Sequence, residues 1–126
     1  MGKTTLKSIT KRLDKTVREI VLSRDKCCVT CGTTETLQVS HYISRSHIST
    51  RWDLRNCNLQ CSKCHLKDFH GGFVTAYQNY LIMRYGPNII QELEGEGRKL
   101  AQQVGLKTLY ERETLYHELK EQVPKP

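Results

Sequence analysis

Residues 28–65 read CVTCGTTETLQVSHYISRSHISTRWDLRNCNLQCSKCH, and the spacing of four cysteines within this stretch decides the fold. Cys28-Val-Thr-Cys31 and Cys61-Ser-Lys-Cys64 are two C-x2-C knuckles, which supply the four thiolates of a closed tetrahedral zinc site. The interval between them, residues 32–60, is 29 residues long. A plain zinc ribbon has about 15–20 there, so the enclosed loop holds something more. Gly32 directly follows the first knuckle, where a tight turn around the ion needs its freedom. Four cysteines also suit an iron–sulfur cluster, which is the competing reading. Cys27 and Cys57 are left over and read as small buried hydrophobes without chemistry.

Working outward, Leu37, Val39, His41 and Ile43 alternate as in a short strand. Residues 44–52 are polar and read as a loop, and Cys57–Gln60 form a second short strand leading into the second knuckle. Ser62–Phe69 read as the first turns of a helix that Gly71-Gly72 stops. Upstream, Leu6, Ile9, Leu13, Val17, Ile20 and Val21 recur every three or four residues, which predicts an amphipathic helix over 5–24. Its polar side carries Lys3, Lys7, Lys11, Arg12, Lys15 and Arg18, either a solvated face or one that touches phosphates. Downstream, Phe73, Tyr77, Tyr80, Leu81 and Tyr85 mark a helix ending near Gly86. Pro87 fits the first turn of a short one with Ile89, Ile90 and Leu93, which Gly95 and Gly97 break. Residues 108–122 read as a peripheral helix.

The chain of 126 residues is long enough for one domain, and a core this small benefits from a metal staple. The expected fold is α+β: a zinc-stapled two-strand-and-helix core over 27–72, a basic helix over 5–24 and a helical part over 73–122. Twenty Lys+Arg face thirteen Asp+Glu, a formal charge of +7, which favours an anionic partner such as nucleic acid. Residues 1–15 are polar and basic, without the apolar stretch of a secretory signal. No apolar run nears the roughly 20 residues that span a membrane. Paired cysteines without a signal predict a reducing cytoplasm and no membrane partner.

The run SHYISRSHISTRWDLRNCNLQCSKCHLKDFHGG, residues 40–72, resembles the phage NinG (Rap) recombination endonucleases, a branch of the His-Asn-His or ββα-metal nucleases. That pattern has a C-x2-C knuckle, Gly-His before an Ile-Ser-Arg stretch, Thr-Arg-Trp-Asp, an Asn, and Gln-Cys-x2-Cys-Asn. Here stand Cys28/Cys31, Ser40-His41, Ile43-Ser44-Arg45, Thr50-Arg51-Trp52-Asp53, Asn56 and Gln60-Cys61-x2-Cys64-His65. The likeness continues through Tyr77, Leu81 and Tyr85-Gly86, and the cysteine and histidine layout is similar to phage endonuclease VII as well. Two positions depart: Ser40 stands where many His-Asn-His enzymes have a metal-binding Asp or His, and His65 where the NinG branch has Asn.

The resemblance implies a metal-dependent endodeoxyribonuclease acting on branched recombination intermediates in the cytoplasm of a bacterial host. His41 is then the general base, since an imidazole titrates near neutral pH, and Asn56 orients it. Structural Zn2+ sits on the cysteines, while His65, with Asp68 one turn further on, is the candidate ligand of a catalytic Mg2+ or Mn2+ ion. Arg45, Arg51, Arg55, Lys63 and Lys67 crowd this stretch, either as solvated charge or, as favoured, as phosphate contacts, with Arg45 or Arg51 near the scissile phosphate. Symmetric resolution of a junction would favour a homodimer. His47 and His70 read as surface side chains. Two alternatives stand beside this: a non-catalytic zinc module that binds nucleic acid, and a sequence-specific His-Asn-His nuclease.

Overall fold

The computed structural model describes residues 3–70 and 74–125, and of residues 69 and 70 the backbone only. The expected stop at Gly71-Gly72, the helical place of Phe73 and the His70 side chain lie outside the described residues.

Helix α1 runs Leu6–Asp25, within a residue of the range its apolar stripe predicts. Thr5 caps it reciprocally with Ser8: the Ser8 N–H donates to Thr5 Oγ1 at 3.1 Å, and the Thr5 N–H to Ser8 Oγ at 2.8 Å. The stripe of Ile9, Leu13, Val17, Ile20 and Val21 is buried, and each such side chain contributes roughly 1.5–3 kcal/mol of transfer free energy. It packs on one face of an antiparallel hairpin, β1 (Leu37–His41) and β2 (Cys57–Cys61), in the register Leu37↔Cys61, Val39↔Leu59, His41↔Cys57. Of its residues, Leu37, Val39, Cys57 and Leu59 join the core of α1. The even-numbered ones, Gln38, Ser40, Asn58 and Gln60, form a polar second face. All of β2 is buried because both its faces are covered.

The β1–β2 crossover, expected as loop, contains the short helix α2 (Ile48–Arg51). Helix α3 (Ser62–His70) leaves β2 without a break. Helices α4 (Thr75–Tyr85) and α5 (Ile89–Gly97) close a second core of Tyr77, Leu81, Ile89 and Leu93, against which Tyr42 and Ile43 pack. Gly95 does not interrupt α5, which ends at Gly97. A Cβ on Gly97 would stand 2.9 Å from Ile43 Cγ2, so glycine there lets the helix approach the loop after β1. A 3-10 turn follows at Ala101–Val104. Then α6 (Leu109–Lys120), capped by Thr108 and Glu111, docks along α1 with Leu119 buried in the main core. This helix is therefore part of the core and not peripheral. The arrangement is α+β as expected, helices around a small two-stranded sheet. Among the described residues, no helix is long and apolar enough to cross a membrane.

Candidate metal centre and adjoining cleft

The knuckles meet because the hairpin register puts Cys61 at the start of α3 while the first knuckle lies against the edge of β2. The Val29 N–H donates to the Leu59 carbonyl at 2.8 Å, and Gly32, at φ 82, turns the chain so that its N–H reaches the Cys28 carbonyl at 2.8 Å. The Sγ atoms of Cys28, Cys31, Cys61 and Cys64 all lie within 4.8 Å of one another, and those of Cys31 and Cys61 are 3.7 Å apart. Four thiolates about 2.3 Å from one ion in a tetrahedron stand about 3.8 Å apart. An iron–sulfur cluster distributes its cysteines over several irons, so the compact quartet favours a single shared ion such as zinc.

The thiol chemistry agrees. Burial raises Cys28, but the Thr30 hydroxyl and the surrounding backbone N–H groups outweigh it and bring the thiol down to about 6. Cys64 accepts help from Thr30, yet burial and the neighbouring thiols push it up to about 12. One deprotonated sulfur thus opposes the next, and a divalent cation removes that opposition. Cys57 is fully buried, as its reading as a small hydrophobe requires, whereas Cys27 is half-buried.

At the far end of the hairpin, His41 lines a cleft of about 560 Å3 together with Asp14, Arg18, Arg45, Arg51 and His65. Its Nε2 lies 2.9 Å from the Arg51 carbonyl oxygen. A carbonyl only accepts, so Nε2 carries the proton and Nδ1 is the basic nitrogen. Burial holds the imidazole below its ordinary value, against the Arg51 carbonyl and Asp14, so the ring is neutral at neutral pH. It can accept a proton at Nδ1.

Asn56 holds the loop that presents this carbonyl. Its side chain is fully buried. Oδ1 accepts the Ile43 N–H at 2.7 Å, and Nδ2 donates to the Ile43 and Thr50 carbonyls at 3.0 and 3.1 Å. The Asn56 amide does not bond His41; it ties Ile43, two residues beyond His41, to Thr50, the residue just before the Arg51 carbonyl. The Cys57 thiol donates to the same Arg51 carbonyl at 3.3 Å. Behind β1, the Tyr77 hydroxyl donates to the Ser40 carbonyl at 2.9 Å and accepts from Asn58 Nδ2 at 3.0 Å. Ser40 itself is completely buried, which closes that side chain to a metal in the cleft.

One important cleft residue was missed from the sequence. Asp14 of α1 accepts Arg51 Nε at 3.0 Å and Nη2 at 2.7 Å, and Trp52 Nε1 at 2.8 Å. Burial raises its carboxyl, but these donors outweigh burial and hold it ionised. Asp14 aims the Arg51 guanidinium, and only its place among Lys7, Lys11 and Arg18 on one helix face hinted at this.

Other expected residues are not brought together. The Arg55 guanidinium is occupied by Asp53 and Glu92 and does not line the His41 cleft. Lys63 is exposed on α3, outside the cleft, and Lys67 lines a separate cavity beside Cys31 and Cys64. Asp68 lines that second cavity too, where its Oδ2 accepts Gln60 Nε2 at 2.6 Å, so it does not share a face with His65. His65 Nδ1 lies 2.6 Å from Gln38 Oε1, which makes Nε2 the basic nitrogen of that ring. His47 is exposed, with Nδ1 3.0 Å from the Gly97 carbonyl. Among the described residues, the four cysteines are the group with three or more donors close enough for one ion.

No curated protein and no solved structure matches this chain. The family model described as bacteriophage lambda NinG protein matches residues 3–122, nearly the whole sequence, including α1, both knuckles, the cleft and α6. The chain belongs to the bacteriophage lambda NinG protein family.

Proposed function

We propose that this protein is a DNA endonuclease that hydrolyses phosphodiester bonds in branched recombination intermediates. The observation that carries the reading is a neutral imidazole of fixed tautomer in the same cleft as three arginines, Arg18, Arg45 and Arg51. In this reading, His41 Nδ1 takes the proton from the attacking water, a step that supplies about 10²–10⁴-fold in rate. Arg51, aimed by Asp14, and Arg45 hold the phosphate and the charge that develops on it. Asn56 is a positioning residue. Arginine–phosphate contacts read the backbone and not the bases, which suits selection by shape.

A magnesium or manganese ion is part of the proposal, with His65 as its protein ligand. Magnesium retains several waters and takes substrate oxygens, so few protein groups suffice. Bound there, it would supply positive charge to the leaving oxygen. Asp68, engaged with Gln60 in the other cavity, is not in position to join it.

The test is cleavage of linear duplex, single-stranded, D-loop and four-way-junction DNA in magnesium by the wild type and by His41→Ala. Cutting of branched substrates by the wild type alone supports the proposal. Identical behaviour of both proteins on every substrate, with DNA still bound, would sink it. That outcome would favour a non-catalytic binding module, for which the buried Ser40 and the diverted Asp68 speak. Cutting of a linear duplex at one sequence would favour a sequence-specific nuclease.

A further inference from the structure

Beside the His41 cleft, a second depression of about 440 Å3 lies between α1, α6 and the crossover loop. Lys7, Lys11, Arg45, Arg51 and Arg112 line it against a single acid, Asp14, whose oxygens are already taken by Arg51 and Trp52. Among the described residues, no carboxylate forms an ion pair with Lys7, Lys11, Arg45 or Arg112. Arg112 comes from α6, far along the chain. Its Nε donates to the Leu106 carbonyl at 2.8 Å and its Nη1 to Thr10 Oγ1 at 3.1 Å. Its Cζ is 5.5 Å from the Trp52 ring centroid, and Arg51 Cζ is 5.7 Å from it. Two guanidiniums are thus gathered round one indole with one carboxylate between them. Burial and then the Arg51 charge hold Arg112 below its ordinary value, the sign of a cation that lacks an anion.

We infer that this depression is a second phosphate subsite, which grips the DNA backbone beside the cleft and lays the strand along α1. The inference rests on the reading of the chain as a DNA-acting protein. Lys7, Lys11, Asp14 and Arg18, spaced four, three and four, share one face of α1 and line one depression or the other. From Lys7 to Arg18 the helix rises about 16 Å at 1.5 Å per residue. That is the axial rise of about five base pairs at 3.4 Å each. The DNA track therefore runs over α1 and α6 and not over Arg55, Lys63 and Lys67.

The zinc-loaded full chain is titrated with labelled duplex and four-way-junction DNA, without magnesium, at a series of salt concentrations. Each lost phosphate contact lowers the slope of log K against log salt by about 0.9. K7Q/K11Q is expected to lower it by about 2 and Arg112→Gln by about 1, with roughly ten- to a hundredfold weaker binding near physiological salt. K107Q/K125Q, which removes the same charge at exposed positions outside the depression, should leave the slope unchanged. K7Q/K11Q alters only exposed side chains, so it stays decisive if Arg112→Gln loosens α6. Wild-type protein that binds no DNA removes the nucleic-acid reading itself, and the subsite with it. Wild type that binds, with K7Q/K11Q unchanged or the control equally weakened, overturns the subsite alone.

Discussion

Replacing Asn56 with alanine should loosen the cleft and the fold together, and the size of the effect follows from the bonds it makes. The amide forms three hydrogen bonds to backbone groups of Ile43 and Thr50, from a side chain with no exposed surface. A buried hydrogen bond contributes a net of about 1 kcal/mol, and an orphaned buried partner costs about 1–3 kcal/mol. The Thr50 carbonyl keeps the Asp53 N–H at 3.2 Å, so the cost of orphaned groups falls on the N–H and carbonyl of Ile43. The expected loss is therefore about 3–5 kcal/mol, a large share of the 5–15 kcal/mol typical of a domain. In urea, where a chain of this size has a slope of about 1–3 kcal/mol per molar, the unfolding midpoint should drop by more than about 1 M. Asn56→Asp should be at least as damaging, because a carboxylate would face the two carbonyls that Nδ2 now satisfies. An unfolding midpoint within a few tenths molar of wild type for Asn56→Ala would refute the clamp. Where stability survives enough to assay cleavage, the rate should fall, since the Arg51 carbonyl no longer fixes the His41 proton.

Removing the metal with a strong chelator should abolish the cooperative melting transition, since structural zinc in small peptides is worth roughly 10–16 kcal/mol at neutral pH. Elemental analysis should find one zinc per chain, and a chain that melts unchanged without metal would dismiss the site. Burial lowers His41 in the folded state. As pH falls below about 6.5, the unfolded chain therefore takes a proton that the folded one refuses, and stability declines until the folded value is reached. His41→Gln should lack this component, so the difference between the two pH–stability curves isolates it; parallel curves would mean the ring is not held neutral. Asp14→Asn removes the single acid from the second depression and frees Arg51. DNA binding should tighten while cleavage slows, and a variant that cuts as well as wild type would show that Arg51 needs no aiming.

Some of this was legible in the sequence because the signals are local. Two C-x2-C pairs state a metal quartet, alternation from Leu37 to Ile43 states a strand, which ends two residues earlier at His41, and the stripe from Leu6 to Val21 states a helix to within a residue. What failed depends on contacts between distant residues. Asp14 reads as one acid in a basic row until Arg51, 37 positions away, is folded against it. Asp68 falls one turn from His65, but the amide of Gln60 captures it on the other side. Gly95 reads as a helix breaker, yet α5 runs on through it and ends at Gly97, whose missing side chain makes room for Ile43. The apolar residues of α6 are too sparse to announce its docking, which Leu119 and Arg112 secure from opposite ends of the helix.

The hairpin is clamped at both ends by different means. At one end, Cys61 pairs with Leu37 and leads into the sulfur quartet. At the other, His41 pairs with Cys57, and both reach the Arg51 carbonyl. Four strand steps of about 3.4 Å put roughly 14 Å between the ends. A zinc ion on four sulfurs would have no open coordination position, and at that distance it would not polarise a phosphate at the proposed site of Arg45 and Arg51. On the proposed reading, a metal in the quartet sets where the strands lie, while the proton chemistry falls to His41. The short α2 is too brief to persist alone. Asn56, together with Ser49, whose hydroxyl donates to the Glu96 carbonyl of α5 at 2.7 Å, holds it in place. The position of the His41 ring thus depends on α5, a helix well outside the cysteine loop.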